Sequence, residues 1–226
     1  MDTQDGGKRS PALSQQSWVS ATLVLILLSL ASKVFGFARE ILVAKYFGVS
    51  PEVDAYMVAL TLPMVMGGVI GSSLGTSLIP AYHRISTGSG QRGADRLCNT
   101  TVSFTTIVSV FLILVLYIFP AAAIRLLAPS FPVTTVNTAI GLLKWLSVLV
   151  LGYSLYNVQT AIYNARHHFT TPALADVLSN FFVIGSLIFL SSVIGIYALA
   201  TGLIAGVYAV AVTLLVVMKR SGISGF

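Results

Sequence analysis

The chain has 226 residues, 56% of them hydrophobic and 9% charged, with a formal net charge of +6 and a mean hydropathy of +0.89. A soluble domain carries about 25% charged residues, so this composition excludes an ordinary soluble fold and describes an integral membrane protein. The single cysteine, Cys98, excludes an internal disulfide and a multi-cysteine metal site.

Residues 1–16 are polar and Gly/Ser/Gln-rich and read as a disordered tail. Lys8 and Arg9 precede an apolar run, but the run is too long for a signal peptide and no small-residue cleavage site follows. The first span is expected at 17–47. It begins cleanly at Trp18 and then reads Ser32-Lys33-Val34-Phe35-Gly36-Phe37-Ala38-Arg39-Glu40, with Lys45 close behind. A charge near the bilayer centre costs about 2.5–3.5 kcal/mol on insertion scales and needs a partner, water or a ligand. Three cations and one anion leave a positive surplus, which suits an anionic ligand. On a helical wheel Lys33, Gly36 and Glu40 share a face, and Arg39 points about 100° away from Glu40. Lys33 and Glu40 lie about 10 Å apart along the axis, too far for an ion pair. Arg39 is about 31 Å from Trp18 and can snorkel to the far interface; Lys33, at about 22 Å, is less easily excused. The rival to snorkelling is a solvated cavity in which Arg39 grips phosphate with its bidentate fork.

A short outer loop leads to a second span at 53–82, opened by Asp54, which can approach Lys45 or Arg39 across the hairpin. Pro63 is expected to kink this helix. Gly67, Gly68, Gly71 and Gly75 read either as close packing or as flexibility. The third span is expected at 100–124 and the fourth at 138–166. Lys144 in the fourth reads as a further cavity cation or as an interfacial anchor. From Val177 to Met218 about 42 uncharged residues run on, twice one crossing. The chain must turn back between Ser191 and Gly195, which gives spans at 172–191 and 194–218, with Gly202 and Gly206 forming a small-xxx-small face. Residues 219–226 form a cytoplasmic end.

Orientation follows from lysine and arginine in short loops. Lys8, Arg9, Arg84, Arg92, Arg96, Arg166, Lys219 and Arg220 fall on one side and Arg125 on the other, so both termini are expected in the cytoplasm. His83, His167 and His168 fall in expected loops at poor metal-ligand spacing, so no metal site is expected. Gly88-Ser89-Gly90 lacks the lysine and the preceding strand of a nucleotide loop. No catalytic residue, cofactor or nucleic-acid partner is indicated; the energy for transport would come from ion, potential or substrate gradients.

The stretch Ser32 to Glu40 continues through Ala44, Phe47-Gly48, Asp54-Ala55-Tyr56-Met57-Val58-Ala59 and Leu62-Pro63. Further on come Phe119-Pro120, Leu127-Ala128-Pro129-Ser130-Phe131, Leu142-Leu143-Lys144, Ile162-Tyr163-Asn164, Phe169, Pro172-Ala173 and Asn180. This ordered set, over about residues 29–220, resembles the lipid II flippase family (MurJ, also called MviN) of the multidrug/oligosaccharidyl-lipid/polysaccharide exporter superfamily. The resemblance implies an all-α membrane fold, six helices forming the N-terminal lobe of a two-lobed flippase around a cationic cavity. It implies that Arg39 meets the pyrophosphate of an undecaprenyl-linked sugar, that Lys33 lines the cavity and that Asp54 is a sensitive acid; Glu40 and Lys144 stand beside them as further candidate substrate-binding residues. Gly36, Pro63, Asn164, Pro172 and Asn180 carry over as hinge or structural positions. Membrane lipids and a separately encoded second lobe are the other partners implied.

The sequence departs from the family pattern at several places. Lys33 stands where the family usually has arginine, Gly67-Gly68 near two arginines, Ser72 near an acid and Ser130 at a usual glycine. Six helices make one lobe, so the chain reads as a truncated frame or as one of a separate pair. The alternatives are an exopolysaccharide or O-antigen flippase of the same fold and an inactive membrane remnant. A drug/cation antiporter is disfavoured by the cationic surplus.

Overall fold

The computed structural model describes residues 11–88, 90–166 and 170–220, and side chains of 23, 26–88, 90–166 and 177–217. Eight helices follow one another: α1 Pro11–Phe47, α2 Pro51–Gly88, α3 Gly90–Ile118, α4 Pro120–Leu127, α5 Val133–Leu146, α6 Leu149–Ala165, α7 Thr170–Ile194 and α8 Tyr197–Arg220. Among the described residues there is no strand. The fold is that of an all-α, multi-pass membrane protein. By length and composition α2, α3, α7 and α8 each hold a plain membrane span, and α5 with α6 forms a fifth that bends by 44°. The long helix α1 carries Lys33, Arg39, Glu40 and Lys45, and among the described residues four spans, or five with the bent pair, meet the length and composition of a crossing, against the six expected.

The helix breaks have local causes. At Phe119, φ −114° and ψ 42°, the chain leaves helical geometry just before Pro120, which then occupies the first turn of α4. Proline disfavours the helical region for the residue before it and is at home at the first helical position. The third span expected at 100–124 is therefore divided into α3 and α4. No proline or glycine marks the break between α5 and α6. There the Ser147 hydroxyl donates to the Lys144 carbonyl at 2.8 Å, and the Tyr208 hydroxyl of α8 donates to the Val148 carbonyl at 2.8 Å. Side-chain donors thus take up carbonyls at the bend, one of the recognised ways a helix is kinked. The region between 83 and 99, read from sequence as a loop, is helical on either side of residue 89. α2 runs to Gly88 and α3 starts at Gly90, so His83 lies on a helix. His167 and His168 lie outside the described residues. α7 and α8 meet at Gly195, whose φ of +56° is the left-handed geometry that closes a tight reversal.

Glycine faces bring the helices together. A Cβ on Gly71 would lie 2.6 Å from Asn157 Cβ and 2.7 Å from the Ser154 carbonyl, so only glycine lets α2 and α6 approach this closely. Gly67 faces Val150 and Tyr153, and Gly75 faces Ala161. The numbering rises together on both sides, so α2 and α6 run parallel. The Ser154 hydroxyl donates to the Gly67 carbonyl across this contact at 3.2 Å. Gly202 and Gly206 form the matching close face of α8 against Val183, Ser186 and Ser179 of α7. α1 packs chiefly on α7, with Phe35 and Phe181 rings 4.5 Å apart. One buried cluster runs from Val43 and Tyr56 through Leu142, Leu146 and Val150 to Val207. A second gathers Leu78, Cys98, Ile162, Tyr163 and Leu214 toward the other end.

Candidate functional site

Arg39 sits eight residues from the end of α1, with its side chain 34% exposed and Nη2 2.6 Å from Glu40 Oε1. The sequence reading set these two side chains about 100° apart on the helix. They pair all the same, because neighbours on a helix are adjacent at the backbone and both side chains are long enough to fold toward each other. Arg39 lines a cavity of about 170 Å³ with Tyr153 and Tyr156 of α6, Ser179 of α7, and Leu203, Val207 and Val210 of α8. A cation from α1 therefore meets tyrosine and serine side chains from two other helices on an otherwise aliphatic wall. Tyr153 and Tyr156 escaped the sequence reading. The signal was available: two tyrosines three residues apart share one helix face.

The other candidates are distributed around this centre. Lys33 is exposed on α1, about 9 Å below Arg39 along the axis. Asp54 is exposed in the first turn of α2, and its backbone N–H donates to the Ser50 carbonyl at 3.3 Å. The expected ion pair with Lys45 or Arg39 is not formed: Arg39 pairs with Glu40 instead, and Lys45 lies over Tyr46. With Glu52, Asp54 places negative charge at the N-terminus of α2, where it complements the helix dipole. Lys45 Nζ lies 5.9 Å over the Tyr46 ring. Lys144 belongs to a different cavity, where its Nζ lies 5.6 Å over the Tyr117 ring. The structure thus brings Arg39 and Glu40 together and leaves Lys144 outside the Arg39 cavity.

Of the hinge candidates, Gly36 lies within one uninterrupted helix, and a Cβ there would meet nothing within 4 Å. Pro63 is buried, and α2 continues as a single helix through it and through Pro80. Asn164 is the penultimate residue of α6, and its carbonyl accepts from the Arg166 backbone N–H that closes the helix. Pro172 is the third residue of α7, a position that tolerates the missing N–H; its side chain is outside those described. Asn180 lies partly buried on α7.

A polar knot that the sequence did not announce ties α2, α3 and α6. Arg166 Nη2 lies 2.6 Å from Asp95 Oδ1, with the two side chains 11% and 19% exposed. The guanidinium is 5.3 Å from the Tyr82 ring centroid. Gln91 Nε2 donates to the Tyr82 hydroxyl at 2.7 Å. Hydroxyls along the exposed side of α2 are satisfied locally: Thr76 donates to the Ser72 carbonyl at 2.9 Å and Ser77 to the Leu74 carbonyl at 3.0 Å. Such internal bonds let hydroxyls lie in an apolar layer without an external partner.

The chemistry open to the Arg39 site is anion binding. One guanidinium N–H is committed to Glu40, in an exposed pair worth about 0.2–1 kcal/mol. A guanidinium has five N–H donors, so an oxyanion has others to engage beside or in place of the carboxylate.

Comparison with known proteins follows the same lines. A sequence model of the family described as lipid II flippase MurJ matches residues 43–225. The lipid II flippase MurJ of Thermosipho africanus is 31% identical over 186 residues, which is 80% of this chain and 38% of that protein. The probable lipid II flippase MurJ of Aquifex aeolicus is 27% identical over 188 residues, 82% of this chain and 37% of that protein. A solved structure, lipid II flippase MurJ in an inward closed conformation, superposes with a TM-score of 0.74 at 28% identity. It is matched over 86% of this chain and 42% of its own length. The chain thus spans about two fifths of the relatives it matches. Lys33, Arg39 and Glu40 precede the interval matched by the family's sequence model.

Proposed function

The chain belongs to the lipid II flippase MurJ family, and from that premise we propose that it forms the N-terminal lobe of a lipid-linked oligosaccharide flippase. Its substrate is the undecaprenyl-pyrophosphate-linked peptidoglycan precursor, and it works in the bacterial cytoplasmic membrane with both termini inside. The observation that carries this reading is Arg39, a half-buried cation on a long membrane helix whose paired acid is an exposed neighbour. The pyrophosphate displaces Glu40 and takes two guanidinium N–H groups. Lys33 adds charge along the path, and the lipid tail stays in the bilayer. A second lobe completes the cavity and alternates its access between the two faces. No covalent bond is made or broken, so the lobe is a transporter part and not an enzyme.

The test is complementation. Residues 1–220 are grafted onto the second lobe of a relative in a flippase-depleted strain, with variants compared at equal membrane abundance. Arg39→Ala is expected to abolish growth. Arg39→Lys is expected to slow lipid II transport about tenfold, because an ammonium is a point charge that replaces a two-pronged donor. Equal growth of Arg39→Lys and the parent would refute the bidentate contact. Growth of Arg39→Ala would refute the phosphate site and leave Arg39 as a snorkelling residue.

A further inference from the structure

A second cavity, about 880 Å³ in volume, lies where the end of α3, the last turns of α5 and the start of α8 meet. Tyr117, Gly141, Lys144, Trp145, Tyr197 and Ile204 line it. Three observations bear on what it holds. The first is charge. Lys144 is exposed, and no carboxylate lies within 4 Å of it among the described residues. Its Nζ lies over the Tyr117 ring, which holds an ammonium in place without neutralising it.

The second observation is level. Tyr117 is the penultimate residue of α3, and Tyr197 begins α8 directly after the Gly195 reversal. Both therefore mark one edge of the apolar layer. Trp145 and Tyr117, 51% and 56% exposed, line the groove beside Tyr197. Tryptophan, tyrosine and lysine are enriched where a bilayer's hydrocarbon gives way to head groups.

The third observation is shape. Trp145 and Tyr197 meet edge to face at 5.7 Å. The Tyr197 hydroxyl lies against Gly141, in space that any Cβ at Gly141 would need. The missing side chain lets the Tyr197 ring seat against α5 and form one wall of the groove. The volume is that of a site for a small ligand, wider than a lysine needs in order to snorkel.

We propose that this groove is a binding site for an acidic phospholipid, with the phosphodiester on Lys144 Nζ and an acyl chain along Trp145 and Ile204. Charge complementarity selects the head group: one uncompensated ammonium matches one phosphodiester anion. The apolar remainder of the groove matches a chain. A plain interfacial anchor has neither stoichiometry nor head-group preference, and on those two points the readings part.

The experiment uses the whole chain in mild detergent with phosphatidylglycerol or phosphatidylcholine added, read by native mass spectrometry. The parent is expected to retain one phosphatidylglycerol and no phosphatidylcholine. Retention should fall about tenfold in Lys144→Gln, persist in Lys144→Arg, and fall in Gly141→Ala, whose Cβ displaces the Tyr197 wall without touching the charge. Lys45→Gln removes a comparable lysine from over a tyrosine ring and should change nothing. Helicity measured by circular dichroism confirms that each variant is folded, and Gly141→Ala keeps the test decisive if Lys144→Gln is not. Three results would overturn the proposal: equal retention of phosphatidylcholine, equal losses in Lys144→Gln and Lys45→Gln, or displacement of phosphatidylglycerol by equimolar undecaprenyl phosphate. The last would assign Lys144 to the substrate path.

Discussion

Glu40 is the residue whose role is most sharply constrained by the Arg39 geometry. At 2.6 Å it holds a guanidinium N–H that an anion would otherwise use. If it is a competitor for Arg39, Glu40→Gln should tighten binding of undecaprenyl pyrophosphate. An exposed pair worth about 0.2–1 kcal/mol corresponds to about a 1.5- to 5-fold gain in affinity. Titration calorimetry in detergent at low salt would measure it, and added salt should shrink the difference. Weaker binding by Glu40→Gln would instead make the carboxylate part of the site. The pair also marks a limit of wheel arithmetic. Face angles place Cβ atoms, whereas a six-bond arginine side chain reaches well beyond its own face.

Among the elements, the contact between α2 and α6 depends on which glycines face it. Gly71 touches Asn157 and Ser154, whereas a Cβ on its neighbour Gly68 would meet nothing within 4 Å. Gly71→Leu should therefore cost about 1–3 kcal/mol or more of stability through overpacking, and Gly68→Leu should be close to neutral. Reversible unfolding in mixed micelles would compare them; equal effects would mean that the close approach does not hold the pair together. The small-residue face of α8 was legible from the four-residue spacing of Gly202 and Gly206, and the reversal near Gly195 from the length of an uncharged run. The breaks were less visible. A hydropathy window averages across Phe119-Pro120, so the local signal of the proline was swamped by apolar neighbours. The bend after Ser147 draws its second donor from Tyr208, sixty residues on, and no local pattern contains that partner. Asp95 and Arg166 are likewise 71 residues apart. Their meeting depends on how α3 and α6 pack, which charge counting along the chain does not encode.

For the whole molecule, the basic bias of the loops predicts a definite orientation. In whole cells, Ser50→Cys in the turn between α1 and α2 should react with an impermeant thiol reagent. Gly88→Cys, at the exposed end of α2, should not. The native Cys98 is buried and should contribute little background, which Cys98→Ser would remove. Labelling of Gly88→Cys with protection of Ser50→Cys would invert the assignment. The architecture as a whole was legible because spans announce themselves by length and apolarity. The assembly of the site was not, because Arg39, Tyr153, Ser179 and Val207 come from four helices that only the packing brings together.

The preference of α1 for α7 bears on how the lobe is made. Among the described residues Val43 is the buried apolar residue of α1, and the principal packing partner of α1 as a whole is a helix that begins at Thr170. A ribosome adding about 5–20 residues per second needs about 6–25 s to go from the end of α1 to the start of α7. During that interval α1 must hold its place in the bilayer without α7, charges included. The helix that carries Arg39 is thus made well before the helix on which it docks. A released chain truncated after Arg166 should contain a formed α2–α6 pair beside an unanchored α1. The anion site would then come into being only when α7 and α8 arrive to supply its far wall.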